Sequence, residues 1–278
     1  MICKSLYLDK TDENIRLDVY VSSDTISPAP PRAAVLILPG GGYSYCSHRE
    51  AEPIALAFLS KGINAFVLYY RTGTAEYVYP RQLIDASAAI LHIRENSAEY
   101  GIDPTRVAVL GFSAGGHLAG SLALMHSERE VLAALGIKEG DNRPDAAVLC
   151  YPVVSAYRPT HENSFKNLMG KPFDDLTDAE REKLSLERRV TEQSPPMFIW
   201  HTATDSAVPP VGSLHLAEAY LSAGVPVSLR LYPKGPHGLA LANRLTMGNP
   251  IHVEPTAERW VDETVEFLDL AFDNKIKN

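Results

Sequence analysis

The stretch "VLGFSAGGH", residues 109–117, places one serine, Ser113, among small residues directly after an apolar run. Val107 to Leu110 reads as a strand covered on both faces, and "AGGHLAGSLALM" from residue 114 reads as a helix. A serine at that junction sits on a sharp strand-to-helix turn with a strained backbone. Side chains two residues to either side would collide with neighbouring backbone there, and Gly111 and Gly115 remove them. Gly111-Phe112-Ser113-Ala114-Gly115 thus fits G-x-S-x-G, the nucleophile elbow. The turn pushes Oγ out above the sheet, and the helix N-terminus with the Ala114 N–H faces developing negative charge.

Outward from this turn the same alternation recurs. "AAVLILPG" (33–40), "INAFVLYY" (63–70), "RVAVLGF" (106–112), "DAAVLCYP" (145–152), "PMFIWHTA" (196–203) and "VSLRLYP" (227–233) predict buried strands. Their near-continuous apolarity suits a parallel sheet with both faces covered. Helices are expected over 50–61, 81–100, 114–127, 210–223 and 256–272. "SLYL" and "IRLDVYV" predict an antiparallel lead-in pair. The expectation is a single α/β domain over 1–278, with a mostly parallel, doubly wound sheet and helices on both faces. One interval, 155–194, is polar and weakly helical, with a Thr177-x-x-Glu180 capping box. So long a connection reads as a partly helical, lid-like insertion.

Composition narrows the class. Of 278 residues 45% are hydrophobic and 22% charged, enough apolar material for a large core. A formal net charge of −8 argues against a nucleic-acid partner, because phosphate neutralisation needs a basic face. No stretch has the length of a membrane span, and the N-terminal residues show no apolar leader pattern. Three cysteines, Cys3, Cys46 and Cys150, have no paired spacing and read as reduced thiols in a cytoplasmic protein. No metal or redox motif is present among them. Oligomeric state stays open.

A nucleophilic serine needs a base, and the base needs an orienting carboxylate, each on a loop at the carboxyl end of a strand. "PMFIWHTA" is followed by Thr204-Asp205-Ser206, and "VSLRLYP" by "KGPHG", so Asp205 and His237 fall at such ends in the order Ser, Asp, His. Asp205 lies 92 residues after Ser113 and 32 before His237. The loop after "DAAVLCYP" offers no acid before Glu162, and Asp174, Asp175 and Asp178 read as turn and cap residues. Among the other histidines, His201 within a strand reads as a satisfied buried residue. His117 follows one turn past the serine, and His48 and His161 sit in loops that could reach the site. "LILPGGGYSYCSHRE" ends another strand in Gly40, Gly41 and Gly42, whose N–H groups can turn inward. Gly41 and Gly42 with Ala114 are the expected oxyanion donors, with Gly40 an alternative. Tyr43 is the candidate for substrate contact.

Together these residues resemble the α/β-hydrolase superfamily over essentially the whole chain. The nearest resemblance is to its esterase and lipase branch, and there to acetylxylan esterase-like, sugar-ester hydrolases. "LPGGGYSYCSHREAEPIA", "VLYYR", "VAVLGFSAGGHLA", "SPPMFIWHTATDSAVPP" and "GPHG" carry it. The resemblance implies Ser113, Asp205 and His237 as triad and the glycine loop with Ala114 as oxyanion hole, with no cofactor. It implies a small-molecule ester substrate, with acetylated xylo-oligosaccharides as the expectation. Pro39 stands where hormone-sensitive-lipase relatives carry histidine, and His201-Thr202 stands where a His-Gly pair is usual. Two alternatives remain open: an amide-bond hydrolase, such as a formamidase or a prolyl-oligopeptidase-like peptidase, and a non-catalytic binding module.

Overall fold

The computed structural model describes residues 1–9, 12–23, 30–73 and 76–273. Its apolar runs form β3 (Arg32–Leu38), β4 (Asn64–Tyr69), β5 (Ile102–Phe112), β6 (Ala146–Cys150), β7 (Met197–Thr202) and β8 (Val227–Tyr232). The lead-in pair is β1 (Ile2–Asp9) and β2 (Asp12–Val21). One eight-stranded sheet runs β1-β2-β4-β3-β5-β6-β7-β8. β1 and β2 are antiparallel to each other, β2 is antiparallel to β4, and every pair from β4 to β8 is parallel.

Strand side chains alternate between faces, so one run supplies two cores. Leu36, Val109, Leu149 and Ile199 meet α2 (Arg81–Glu95), α4 (Ala114–Leu124) and α8 (Val211–Ser222) on one face. Ile37, Leu110, Val148 and Trp200 meet α1 (Glu52–Ser60) and α9 (Trp260–Phe272) on the other. The fold is the expected doubly wound α/β arrangement.

Three local differences have physical causes. The helix expected over 81–100 is broken at Asn96, whose Nδ2 donates to the His92 carbonyl at 2.8 Å, and α3 (Ser97–Tyr100) follows as a separate turn. A short helix not anticipated, α5 (Arg129–Leu135), ends at Gly136 in the left-handed region (φ 65°). The 155–194 interval holds α6 (Glu162–Met169) and α7 (Asp178–Leu184), the latter started by the expected capping box at Thr177. Phe165, Leu168, Leu184 and Leu186 of this interval are buried in the face shared with α2 and α4. The insertion is therefore packed onto the domain along its length.

Strand order reverses at β3, with β4 on one side and β5 on the other. Loops at such a switch point diverge and leave a crevice at the carboxyl ends of the strands. The glycine loop after β3 and the serine turn after β5 border that crevice. A Cβ built on Gly40 would lie 3.0 Å from Ser113 Cβ.

Candidate active site

Ser113 caps α4 with φ 54° and ψ −118°, a conformation that L-residues avoid. Close approach of backbone holds it there. A Cβ on Gly111 would overlap the Gly115 carbonyl, and one on Gly115 would overlap the carbonyls of Leu38 and Pro39. Backbone bonds pin the turn further: Ser113 N–H donates to Cys150 O at 3.0 Å, and Ser113 O accepts from Val153 N–H at 3.0 Å.

Ser113 Oγ lies 2.8 Å from His237 Nε2, and His237 Nδ1 lies 2.6 Å from Asp205 Oδ2. The structure thus brings together three residues from the ends of β5, β7 and β8. Asp205 is buried, and burial alone would raise its pKa. Hydrogen bonds from His201 and His237, the attraction of His237 and the Val208 N–H instead hold it well below the usual carboxylate range. Its Oδ1 accepts from the N–H groups of Ala207 (3.0 Å) and Val208 (2.9 Å). His201 is fully buried, as expected, but it also has a part in the site. Its Nε2 faces the Val208 carbonyl at 3.1 Å, so it carries the proton and also donates to Asp205 Oδ2 at 3.2 Å, while Nδ1 accepts from Ser213.

The glycine loop takes up positive φ at Gly41 (135°), Gly42 (62°) and Tyr43 (60°). Gly40 N–H is occupied, donating to Glu50 Oε2 at 2.8 Å. Among the described residues, the N–H groups of Gly41, Gly42 and Ala114 make no hydrogen bond within the chain. The N–H of Gly40, the alternative donor, is thus engaged by Glu50.

Tyr43, the candidate for substrate contact, is buried beside the glycine loop. Its side chain is 2% exposed, and its hydroxyl bonds His117 Nδ1 at 2.8 Å. His117 Nε2 faces the Leu184 carbonyl at 2.8 Å, so Nε2 is the donor and Tyr43 donates to Nδ1. Burial pushes the His117 pKa down to about 4. His117 and Tyr43 therefore form a buried strut between α4, the glycine loop and the insertion, with the Tyr43 hydroxyl spent inside it. A cavity of about 310 Å³ lies beside the loop, lined by residues including Tyr43, Ser44, Asn167 and Lys171.

Other groups at the site come from further along the chain. A Cβ on Gly42 would lie 3.7 Å from His161 Cε1, so that histidine of the insertion does reach the glycine loop. Nearby Asn167 Nδ2 donates to Gly42 O at 2.8 Å. His48 is exposed. Sequence reasoning passed over Glu50 and Tyr151, which lie beneath the glycine loop and the His237 ring. The available signal was a glutamate and an arginine closing the glycine-loop segment, "SHRE", in front of an apolar helix. Among the described residues, no group of three or more His, Cys, Asp or Glu is arranged to hold a metal ion.

A mostly parallel doubly wound sheet with a serine at a strand-to-helix elbow defines an α/β hydrolase. The BD-FAE family profile matches residues 17–220, and the chain belongs to that family. It is 32% identical over 214 residues, 75% of its length, to an acetylxylan esterase of Xylanibacter ruminicola, covering 41% of that protein. It is 36% identical over 236 residues, 82% of its length, to endo-1,4-beta-xylanase B of Butyrivibrio fibrisolvens, covering 35% of that protein. The chain therefore spans well under half of either relative. Among solved structures, the carboxylesterase Cest-2923 of Lactobacillus plantarum superposes with TM-score 0.85 at 29% identity, over 97% of both chains. An acetyl ester-xyloside bifunctional hydrolase of Caldicellulosiruptor lactoaceticus superposes with TM-score 0.77 at 33% identity, over 95% of this chain and 97% of that one.

Proposed function

We propose that the chain is a serine carboxylesterase that removes short acyl groups, acetyl above all, from acetylated xylo-oligosaccharides. The observation that carries this is the unbroken Ser113–His237–Asp205 hydrogen-bond chain, 2.8 Å and then 2.6 Å, beside three unoccupied N–H groups. His237 Nε2 takes the Ser113 proton as Oγ attacks the ester carbonyl. Asp205, doubly bonded from the Ala207 and Val208 backbone, holds His237 with its proton on Nδ1 and stabilises the imidazolium. The N–H groups of Gly41, Gly42 and Ala114 receive the developing oxyanion. The imidazolium then protonates the departing alcohol, and water activated by the same nitrogen hydrolyses the acyl-serine.

The acetyl-sugar preference is supported by the xylan-related relatives. In this reading, residues 155–194 form the lid-like wall of the site, with His161 and Asn167 on its inner side. Cys3, Cys46 and Cys150 are all free thiols, which favours a reducing compartment and imported oligosaccharides over polymeric xylan.

The test is acetate release from acetylated xylo-oligosaccharides, with p-nitrophenyl acetate as a generic ester. Ser113→Ala is expected to lose about a millionfold in kcat on both substrates. Wild-type cleavage of the aryl acetate without acetate release from the sugar would discard the sugar assignment and keep the esterase. Activity surviving in Ser113→Ala would discard the serine mechanism.

A further inference from the structure

Glu50 is a carboxylate 5% exposed in the interior, with no part in the triad. Its Oε2 accepts from Gly40 N–H at 2.8 Å, at the root of the loop that carries the Gly41 and Gly42 donors. Its Oε1 accepts from Tyr151 Oη at 2.7 Å. Tyr151 Oη in turn accepts from Ala240 N–H at 2.9 Å, three residues beyond His237. The Tyr151 ring packs edge-on against the His237 ring, with centroids 5.0 Å apart. One buried side chain therefore ties the loop after β3 to the loop after β8, through a tyrosine at the end of β6.

The donors favour the ionised state. Tyr151 has its oxygen engaged by Ala240 N–H and turns its proton toward Glu50, so both carboxyl oxygens face donors and neither faces an acceptor. That is a cradle for the ionised form, since a carboxylate is favoured by bonds it accepts. Burial pushes the other way and raises the Glu50 pKa, opposed by the Tyr151 and Gly40 bonds and by attraction to His237 and Arg49. The charge is felt by its surroundings: it helps raise the pKa values of Tyr70, Cys150, Tyr151 and Cys46. His237 is bonded to Asp205 and Ser113 and packed against Tyr151, it interacts electrostatically with His161 and Glu50, and Arg49 Nη1 lies 4.0 Å from a Cβ built on the adjacent Gly238.

Building on the serine-esterase reading, we propose that Glu50 is a positioning residue: its carboxylate holds the oxyanion loop and the His237 ring in mutual register, and its negative charge supports the imidazolium. The energetic logic is preorganisation. An oxyanion donor displaced by a fraction of an ångström loses stabilisation in the transition state while ground-state binding is unaffected.

The experiment compares wild type, Ser113→Ala, Glu50→Gln and Tyr151→Phe on p-nitrophenyl acetate from pH 5 to 9, with thermal melting as the check on folding. Glu50→Gln has nearly the same shape but replaces one acceptor with a donor and removes the charge. It is expected to lower kcat and kcat/KM together by about 10- to 100-fold. It should also move the acidic limb of kcat/KM to lower pH, because the imidazolium loses a neighbouring anion. Tyr151→Phe keeps the charge, so it should lower kcat without moving that limb downward. A folded Glu50→Gln protein with kcat within twofold of wild type and an unmoved limb would overturn the proposal. If Glu50→Gln does not fold, wild-type kcat in Tyr151→Phe would overturn it. Activity in Ser113→Ala would instead overturn the underlying esterase reading, so the two failures are distinct.

Discussion

Ser113 holds φ 54° because its neighbours leave it no alternative, and the same residue reports the strain thermodynamically. A non-glycine residue in so sparsely populated a region costs about 1–3 kcal/mol. Ser113→Gly and Ser113→Ala both delete the hydroxyl, but only glycine adopts that backbone freely. Ser113→Gly is therefore expected to be more stable than Ser113→Ala by about 1 kcal/mol, read from urea unfolding midpoints. Gly115 behaves in the opposite way. A methyl group there meets the backbone carbonyls of Leu38 and Pro39, which cannot swing aside as a side chain would. Gly115→Ala should cost about 3 kcal/mol in the same assay and take the activity with it. The need for small residues on either side of Ser113 was legible in the sequence, since it follows from the local geometry of one turn. The role of Gly40 was not. All three glycines look alike in "PGGGY", and only Glu50, ten residues later and folded back, occupies the Gly40 N–H.

At the scale of elements, the insertion is where sequence reasoning had least to work with. Its polarity suggests a solvated excursion, yet Phe165 and Leu168 of α6 and Leu184 of α7 lie in the core shared with α2 and α4. Two short helices each present only a few apolar side chains, too few for a clear period, and their burial is set by what they meet. The capping box was legible because it is local: Thr177 Oγ1 accepts from Glu180 N–H, and the Glu180 carboxylate accepts from Thr177 N–H at 2.8 Å. Thr177→Ala should lower stability by about 1 kcal/mol while leaving kcat on the aryl acetate nearly unchanged, since the cap faces solvent. Asn167→Ala should do the reverse. Its Nδ2 is a link from α6 to Gly42 O, so its loss should lower kcat several-fold with little change in melting temperature. A kcat equal to wild type in Asn167→Ala would show that the glycine loop stands without the insertion.

Across the whole molecule, His117 connects parts that are far apart in the chain. It rises from α4, accepts from Tyr43 of the glycine loop and donates to Leu184 at the end of α7. Its pKa is depressed from 6.5 to about 4 by burial. The unfolded chain therefore binds a proton that the folded one excludes between those values. The stability is fully present above about pH 6.5 and is lost as pH falls through this window, by on the order of 3 kcal/mol at its lower end. His117→Gln keeps a polar side chain without a titrating group. Its melting temperature should fall less than that of wild type between pH 7 and pH 4.5, and equal slopes would remove His117 as the cause.

What the sequence by itself determined is whatever local periodicity and chain order encode. Apolar runs four to eight residues long, alternating with amphipathic helices, suffice for a doubly wound sheet. Ser113, Asp205 and His237 could be nominated because each follows a strand, and strand ends in such a sheet share one edge. Tertiary structure alone decided which groups are free and which are spent: Gly40 N–H held and Gly41 N–H open, the Tyr43 hydroxyl turned inward to His117, His201 sharing Asp205 with His237. It alone set Glu50 against Tyr151, 101 residues away. A hydrogen bond buried between distant segments leaves no period in either, because its worth comes from the desolvation both partners undergo when the chain closes around them.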